Sequence, residues 1–137
     1  MMPERKTFLP LTSNDICEAY QLLHNKALVS FPITPDAEFK IEALVTNINA
    51  TYFGVAPYKT AEEKAVAYLY FIINDHPFVD GNKRTASLVF LIVCDINNLR
   101  PHFRYFTLDA LAVFLEKVAE PHQEVIKAVA DLLFAKS

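Results

Sequence analysis

The chain has 137 residues, which fits one domain over residues 1–137, and 53% of them are hydrophobic, so a core can form without disulfides or metal ions. A net charge of -3 argues against general nucleic-acid binding, which needs a basic excess. The first residues are charged and polar, and the longest apolar run, Ala65 to Ile73, is shorter than the roughly 20 residues that cross a bilayer. We therefore expect a soluble, cytoplasmic protein with no membrane partner.

Hydrophobic residues recur at helical spacing and predict an all-α chain. The first helix carries Ile16 and Tyr20 on one face and begins with a cap at residue 13, 14 or 15. Thr60 followed by Glu63 matches a capping box at the start of the third helix. The third and fourth helices are apolar on nearly every face and belong at the centre of the domain. In chain order, the six predicted helices cover about residues 16–27, 36–50, 60–74, 82–97, 108–119 and 122–135.

The segment from Thr51 to Lys59 interrupts this helical pattern. It is aromatic and β-branched, and it contains Gly54 and Pro57, which favour turns. The pattern fits a short β-hairpin flap before the central helices, and it fits an irregular helix connection equally well.

The loop between the two central helices, residues 76–85, combines groups that suit an anion. Lys83 and Arg84 fall in the first turn of a helix, where free N–H groups and the helix dipole already attract negative charge. Gly81 permits a close backbone approach. This set predicts a phosphate pocket.

Two further residues of the loop suit catalysis. A carboxylate at Asp80 would repel phosphate unless it holds a divalent cation such as Mg²⁺ that bridges to the phosphate oxygens. The near-neutral pKa of histidine suits His76 to accept a proton from an attacking hydroxyl. Phe78 is apolar within a polar loop and is expected to enter the core. Each residue alone has an ordinary structural role, as a cap, a turn or a solvated charge, but their coincidence on one short loop favours a site.

The sequence His76-Pro77-Phe78-Val79-Asp80-Gly81-Asn82-Lys83-Arg84-Thr85 resembles the signature loop of the Fic/Doc family, H-P-F-x-[D/E]-G-N-[G/K]-R, at every fixed position. The resemblance covers about residues 35–100 and implies a compact helical domain with a flap. It also implies a protein-modifying transferase that uses ATP or another nucleoside triphosphate together with Mg²⁺. The acceptor would be a Ser, Thr or Tyr hydroxyl on a protein.

The resemblance assigns roles within the loop. His76 would be the general base, Asp80 the Mg²⁺ ligand, and Arg84 a phosphate contact. Gly81, Asn82 and the following amides would form the anion hole. The segment from Thr51 to Tyr58 resembles the flap that binds the target by strand addition. Its target-binding residues would be Tyr52, Phe53, Gly54 and Tyr58, although core packing explains the aromatic residues equally well.

The transferred group depends on two positions. Family members that transfer AMP have glycine where this chain has Lys83 and a second arginine where it has Ser87. Lysine at the first position resembles Doc-type (death-on-curing) toxins and favours a reversed nucleotide, with the γ-phosphoryl group facing His76. The Doc-like interpretation is a kinase acting on Ser or Thr of a target such as elongation factor Tu. Because Pro77 and Gly81 follow Fic more closely than Doc, adenylylation, the transfer of AMP, is the alternative.

Regulation by a second protein is the remaining implication of the family. The inhibitory motif of many Fic proteins, [S/T]-x-x-x-E-[G/N], has no match, and the nearest segment, Thr34 to Glu38, is followed by Phe39. We therefore expect a small antitoxin to act in trans.

Two other classes of function compete with a transferase. A non-enzymatic interaction module is one, and the presence of both His76 and Asp80 argues against it. Nucleic-acid binding through the basic and aromatic segment Arg100 to Phe106 is the other, and the acidic net charge favours simple packing of those aromatic residues.

Overall fold

The structure is a computed structural model that describes residues 7–51, 54–104, 106–118 and 121–134. Within these ranges the chain forms helices and no β-strand, and Val55 makes an isolated β-bridge. The prediction of an all-α chain is therefore confirmed. The six helices are α1 (Ser13–Asn25), α2 (Pro35–Asn49), α3 (Ala61–Asp75), α4 (Asn82–Ile96), α5 (Leu108–Glu116) and α6 (His122–Leu133).

Threonine is the N-cap residue of four of these helices. The N-cap of α1 is Thr12, one residue before the predicted cap positions 13–15. Its hydroxyl accepts from the Asp15 amide, and the Asp15 carboxylate accepts from the Thr12 amide, so a capping box forms here. At α3 only half of the predicted box forms. Thr60 accepts from the Glu63 amide, but the Glu63 carboxylate accepts from the amide of Lys59 instead. The four capping residues are Thr12, Thr34, Thr60 and Thr107.

Helix α3 lies at the centre, packed against α2, α4, α5 and α6, while α4 also contacts α1 and α5. Every residue from Ala65 to Tyr70 is buried, as are Ile72 and Ile73. Burying one such large apolar side chain contributes about 1.5–3 kcal/mol. The prediction that the third and fourth helices form the centre is confirmed, and their packing fixes the ends of the loop that joins them.

The segment before α3 differs in part from the predicted flap. Tyr52 and Phe53 lie outside the described residues, and Gly54 occupies a turn with a φ of 79°. Tyr58 does not face outward. It is 6% exposed and packs edge to face on Phe71, with ring centroids 6.0 Å apart. Burial of this ring stabilises the core, so Tyr58 follows the core-packing interpretation and is unavailable to a target segment.

Within the segment considered for nucleic-acid binding, the described aromatic residues pack inward, whereas Arg100, His102 and Arg104 are exposed. Phe103 and Phe106 are partly buried against the core and meet edge to face, with centroids 6.2 Å apart. None of the helices in the described ranges has the length and apolar character needed to span a membrane.

Candidate active site

The motif loop begins with a sharp reversal at His76. This residue ends α3 in the left-handed conformation, with φ 46° and ψ 58°, and remains exposed. A proline cannot continue the helix, and Pro77 is buried directly after the reversal. Phe78 then enters the core, 4% exposed, and stacks on Tyr20 with ring centroids 4.0 Å apart. The prediction for Phe78 is confirmed, and its burial leaves His76 at the surface of the loop.

The side chain of Asn82 closes the loop from the other end. Its Oδ1 accepts from the Phe78 amide at 2.9 Å, and its Nδ2 donates to the Phe78 carbonyl at 3.0 Å. Asn82 is 8% exposed and is the first residue of α4, so it is not the helix cap. Because both ends of its side-chain amide are bonded to the loop, Asn82 holds the loop closed, and its backbone N–H belongs to the first turn of α4 at the cavity.

Gly81 is the N-cap of α4 and leaves that helix end without a side-chain cap. Its φ is 73°, a conformation that favours glycine, and a Cβ at this position would overlap the side chain of Val29. The first N–H groups of α4 therefore have no capping side chain, and a helix N-terminus of this kind binds anions.

The connection between α1 and α2 covers one side of the motif loop. Arg84 donates from Nη1 to the carbonyl of Leu28. The Asp80 carboxylate accepts from the Ser30 amide at 3.3 Å and lies 3.5 Å from the Tyr20 hydroxyl. The contacts with Leu28 and Ser30 join segments far apart in the sequence, and no motif in the α1–α2 connection predicts them. These contacts hold Asp80 and Arg84 against the α1–α2 connection, a segment that the sequence motifs did not assign to the site.

Lys83 pairs with a residue that sequence reasoning missed. Its ammonium lies 2.7 Å from a carboxylate oxygen of Glu116, at the end of α5. The hydrogen bond from Lys83 lowers the pKa of the Glu116 carboxyl below its usual value, against an opposing effect of desolvation. Glu116 is an ordinary charged residue of an amphipathic helix in the sequence, so only the packing of α5 against α3 and α4 reveals it.

These side chains line one open cavity of about 370 Å³. Every loop residue proposed for catalysis or anion binding contributes to it, together with Glu116 and Leu28. A larger depression of about 850 Å³ lies beside α2, but among the described residues Glu42 is its single ionisable lining residue, so it lacks the groups for this chemistry. The smaller cavity is lined by Leu28, His76, Asp80, Gly81, Asn82, Lys83, Arg84 and Glu116.

Asp80 provides a single carboxylate for a metal ion. Over the described part of the chain, no three His, Cys, Asp or Glu side chains converge into a metal cage. Mg²⁺ does not need such a cage, because it commonly binds one or two carboxylates and completes its shell with phosphate oxygens and water. The Asp80 side chain, which borders the cavity beside the α4 N-terminus, fits that mode of binding.

Comparison with known proteins shows which family the sequence belongs to. Residues 10–94 match the Fic/DOC family, a range that contains α1 to α3, the motif loop and most of α4. A 46-residue segment is 44% identical to "Toxin Doc" from Mycolicibacterium smegmatis, covering 34% of this chain and 35% of that protein. The chain thus matches about a third of the length of this curated relative, and no solved structure shows a significant match. The family match covers more than half of the chain, and the protein belongs to the Fic/DOC family.

Proposed function

We propose that the protein is a Doc-like kinase that transfers the γ-phosphoryl group of ATP to a Ser or Thr hydroxyl of a target protein such as elongation factor Tu. The observation that carries this proposal is the cavity in which His76, Asp80, Lys83 and Arg84 converge on the N-terminus of α4. The partial match to Toxin Doc supports the Doc-like form, as does lysine in place of the family's glycine.

The proposed step is an in-line displacement. The target oxygen bonds to the γ-phosphorus while the bond to the β–γ bridging oxygen breaks, and ADP leaves. His76 accepts the hydroxyl proton, since it is exposed at the rim of the cavity and its ring is not committed to the core. Lys83, Arg84 and the α4 amides stabilise the negative charge on the phosphate oxygens. Mg²⁺ held by Asp80 would supply further charge neutralisation across the phosphates.

Transfer of AMP is the second candidate. It is favoured by Pro77 and by Gly81, which follow the Fic pattern more closely than the Doc pattern. Lys83 opposes it because its side chain borders the same cavity and adds a charge where AMP-transferring relatives have glycine.

A radiolabel distinguishes these reactions. Elongation factor Tu and a bacterial lysate are each incubated with the protein, Mg²⁺ and ATP labelled at either the α- or the γ-phosphate. His76→Ala removes the proposed base, and His102→Ala, at an exposed histidine outside the cavity, is the matched control. Label from the γ-position alone, lost with His76→Ala and kept with His102→Ala, is the expected result. Label from the α-position establishes adenylylation, and label from neither favours a non-enzymatic module.

We also propose that a small antitoxin restrains this activity in trans. The support is the name of the relative, Toxin Doc, together with the absence of the inhibitory motif from the sequence. Expression of the wild-type chain alone in bacteria is expected to arrest growth, whereas His76→Ala is tolerated. Growth that is unaffected by the active wild-type chain would contradict a toxin role, and recovery of the native protein without a bound small inhibitor would contradict control in trans.

A further inference from the structure

Glu116 introduces a negative charge into a cavity that is otherwise suited to phosphate. It borders the same cavity as Arg84, His76 and the α4 N-terminus, but it lies outside the signature loop. A carboxylate close to bound phosphates weakens nucleotide binding by like-charge repulsion. A carboxylate at this position is therefore expected to have another role in the site that offsets the weaker nucleotide binding.

The geometry of the Lys83–Glu116 pair indicates that role. A lysine side chain is long and flexible, and here it projects from the first turn of a helix, where the dipole disfavours a cation. The Lys83 Nζ lies 2.7 Å from the Glu116 Oε2, and 43% of the Lys83 side chain and 35% of the Glu116 side chain are exposed. A partner on α5 thus holds the ammonium at the edge of the cavity by a contact between two helices. One of the three ammonium N–H donors is used, and two remain for phosphate oxygens.

We propose that Glu116 is a positioning residue for the transfer reaction: it holds Lys83 in the orientation that stabilises the transferred phosphoryl group. This inference rests on the proposed function and extends it to α5, outside the signature loop. Because the carboxylate repels phosphate in the bound nucleotide but orients a charge needed in the transition state, Glu116 weakens nucleotide binding and raises the rate of transfer.

Two substitutions separate the effect of the Glu116 charge on nucleotide binding from its effect on the orientation of Lys83. Glu116→Ala removes both, and Glu116→Gln removes the charge while keeping an oxygen acceptor for Lys83. Glu116 is exposed on α5, so neither change disturbs the core. Glu124→Ala, at an exposed glutamate of α6 outside the cavity, is the matched control. Calorimetry with a non-hydrolysable ATP analogue and Mg²⁺ gives the Kd, and phosphate transfer to the target at saturating ATP gives kcat.

The expected result is that binding of the analogue tightens while transfer slows. Glu116→Ala lowers the Kd for the analogue about threefold or more and lowers kcat about tenfold. Glu116→Gln lowers the Kd similarly and keeps more of kcat. In a Lys83→Ala background, Glu116→Ala causes no further loss of kcat, because its effect on the rate acts through Lys83.

Other outcomes overturn the inference in distinguishable ways. A wild-type protein that transfers phosphate, with Glu116→Ala matching Glu124→Ala in both constants, leaves the proposed function intact and excludes a role for Glu116. A weaker affinity together with a lower kcat indicates general damage to the site and also overturns the positioning role. A wild-type protein that neither binds the analogue nor transfers phosphate overturns the proposed function and this inference together.

Discussion

Tyr20 of α1 and Phe78 of the motif loop stack nearly parallel, with ring centroids 4.0 Å apart and planes inclined by 13°. This contact anchors the motif loop to the core, because Phe78 lies only two residues from both His76 and Asp80. We expect Phe78→Ala to lower the free energy of unfolding by about 3–5 kcal/mol, the usual cost of truncating a buried phenylalanine. Urea denaturation measures it, and Phe39→Ala is the control because Phe39 is 72% exposed. Equal losses in the two variants would contradict an anchoring role.

Val29 of the α1–α2 connection lies against Gly81, and the two glycines of the chain make this contact testable. Both have a positive φ, 79° at Gly54 and 73° at Gly81, but nothing lies within 4 Å of a Cβ built on Gly54. Gly54→Ala therefore adds only backbone strain, about 1–2 kcal/mol. Gly81→Ala adds the same strain and an overlap with Val29, so we expect a larger loss of stability in thermal unfolding. Equal losses would show that the Val29 side chain moves aside without cost.

The helices and the motif loop were predictable because both depend on local pattern. Thr60 caps α3, and α4 begins at Asn82 and ends within one residue of the predicted position, since apolar spacing and capping chemistry act over a few residues. The loop residues meet in one cavity because the loop itself is short. Phe78 was recognisable as a core residue because it is a large aromatic side chain in a loop that is otherwise rich in polar residues.

Contacts between distant segments were not predictable in this way. Leu28 and Ser30 meet the site only because the α1–α2 connection folds over it, and Glu116 does so because α5 packs beside α3 and α4. Tyr58 has the aromatic character of either a target-binding or a core residue, and tertiary packing alone decides for the core. The energetics of such residues depend on neighbours that periodicity does not specify.

The two cysteines should differ in reactivity although both are free thiols. Burial, with a smaller effect of Glu62, raises the pKa of Cys94 to about 12, so at pH 8 on the order of one thiol in ten thousand is ionised. Cys17 is only half-buried, and burial together with Glu38 and Glu42 also raises its pKa. Iodoacetamide on the folded protein should label Cys17 slowly and leave Cys94 unmodified by intact mass. Both should react in denaturant, and native labelling of Cys94 ahead of Cys17 would contradict the buried position.

Asp80→Asn tests whether this carboxylate holds Mg²⁺. The asparagine oxygen can still accept from the Ser30 amide, so the loop contact survives while the charge is lost. We expect Mg²⁺ to strengthen binding of a non-hydrolysable ATP analogue to the wild-type protein and to have little effect on Asp80→Asn, whose transfer rate falls about 10²–10³-fold. Asp131→Asn, at an exposed residue of α6, is the control. An undiminished Mg²⁺ effect in Asp80→Asn would place the metal elsewhere.

The Lys83–Glu116 pair also predicts a dependence of stability on pH. The hydrogen bond from Lys83 lowers the pKa of the Glu116 carboxyl from 4.5, so folding favours its charged form. The stability that the pair contributes is therefore fully present above pH 4.5 and is lost as the pH falls through the lowered value in the folded protein.

Thermal unfolding of wild type and Glu116→Gln across this range measures the effect. We expect the wild type to have a slightly higher Tm at neutral pH, because an ion pair this exposed contributes little, and the two Tm values to converge in acid. In a Lys83→Met background, Glu116→Gln should change the Tm less at neutral pH than it does in the wild type, since the largest cause of the lowered pKa of Glu116 is gone and only the smaller effects of His76 and Lys117 remain. A Tm difference that stays constant into strong acid would show that Glu116 stabilises the fold by packing and not by its charge.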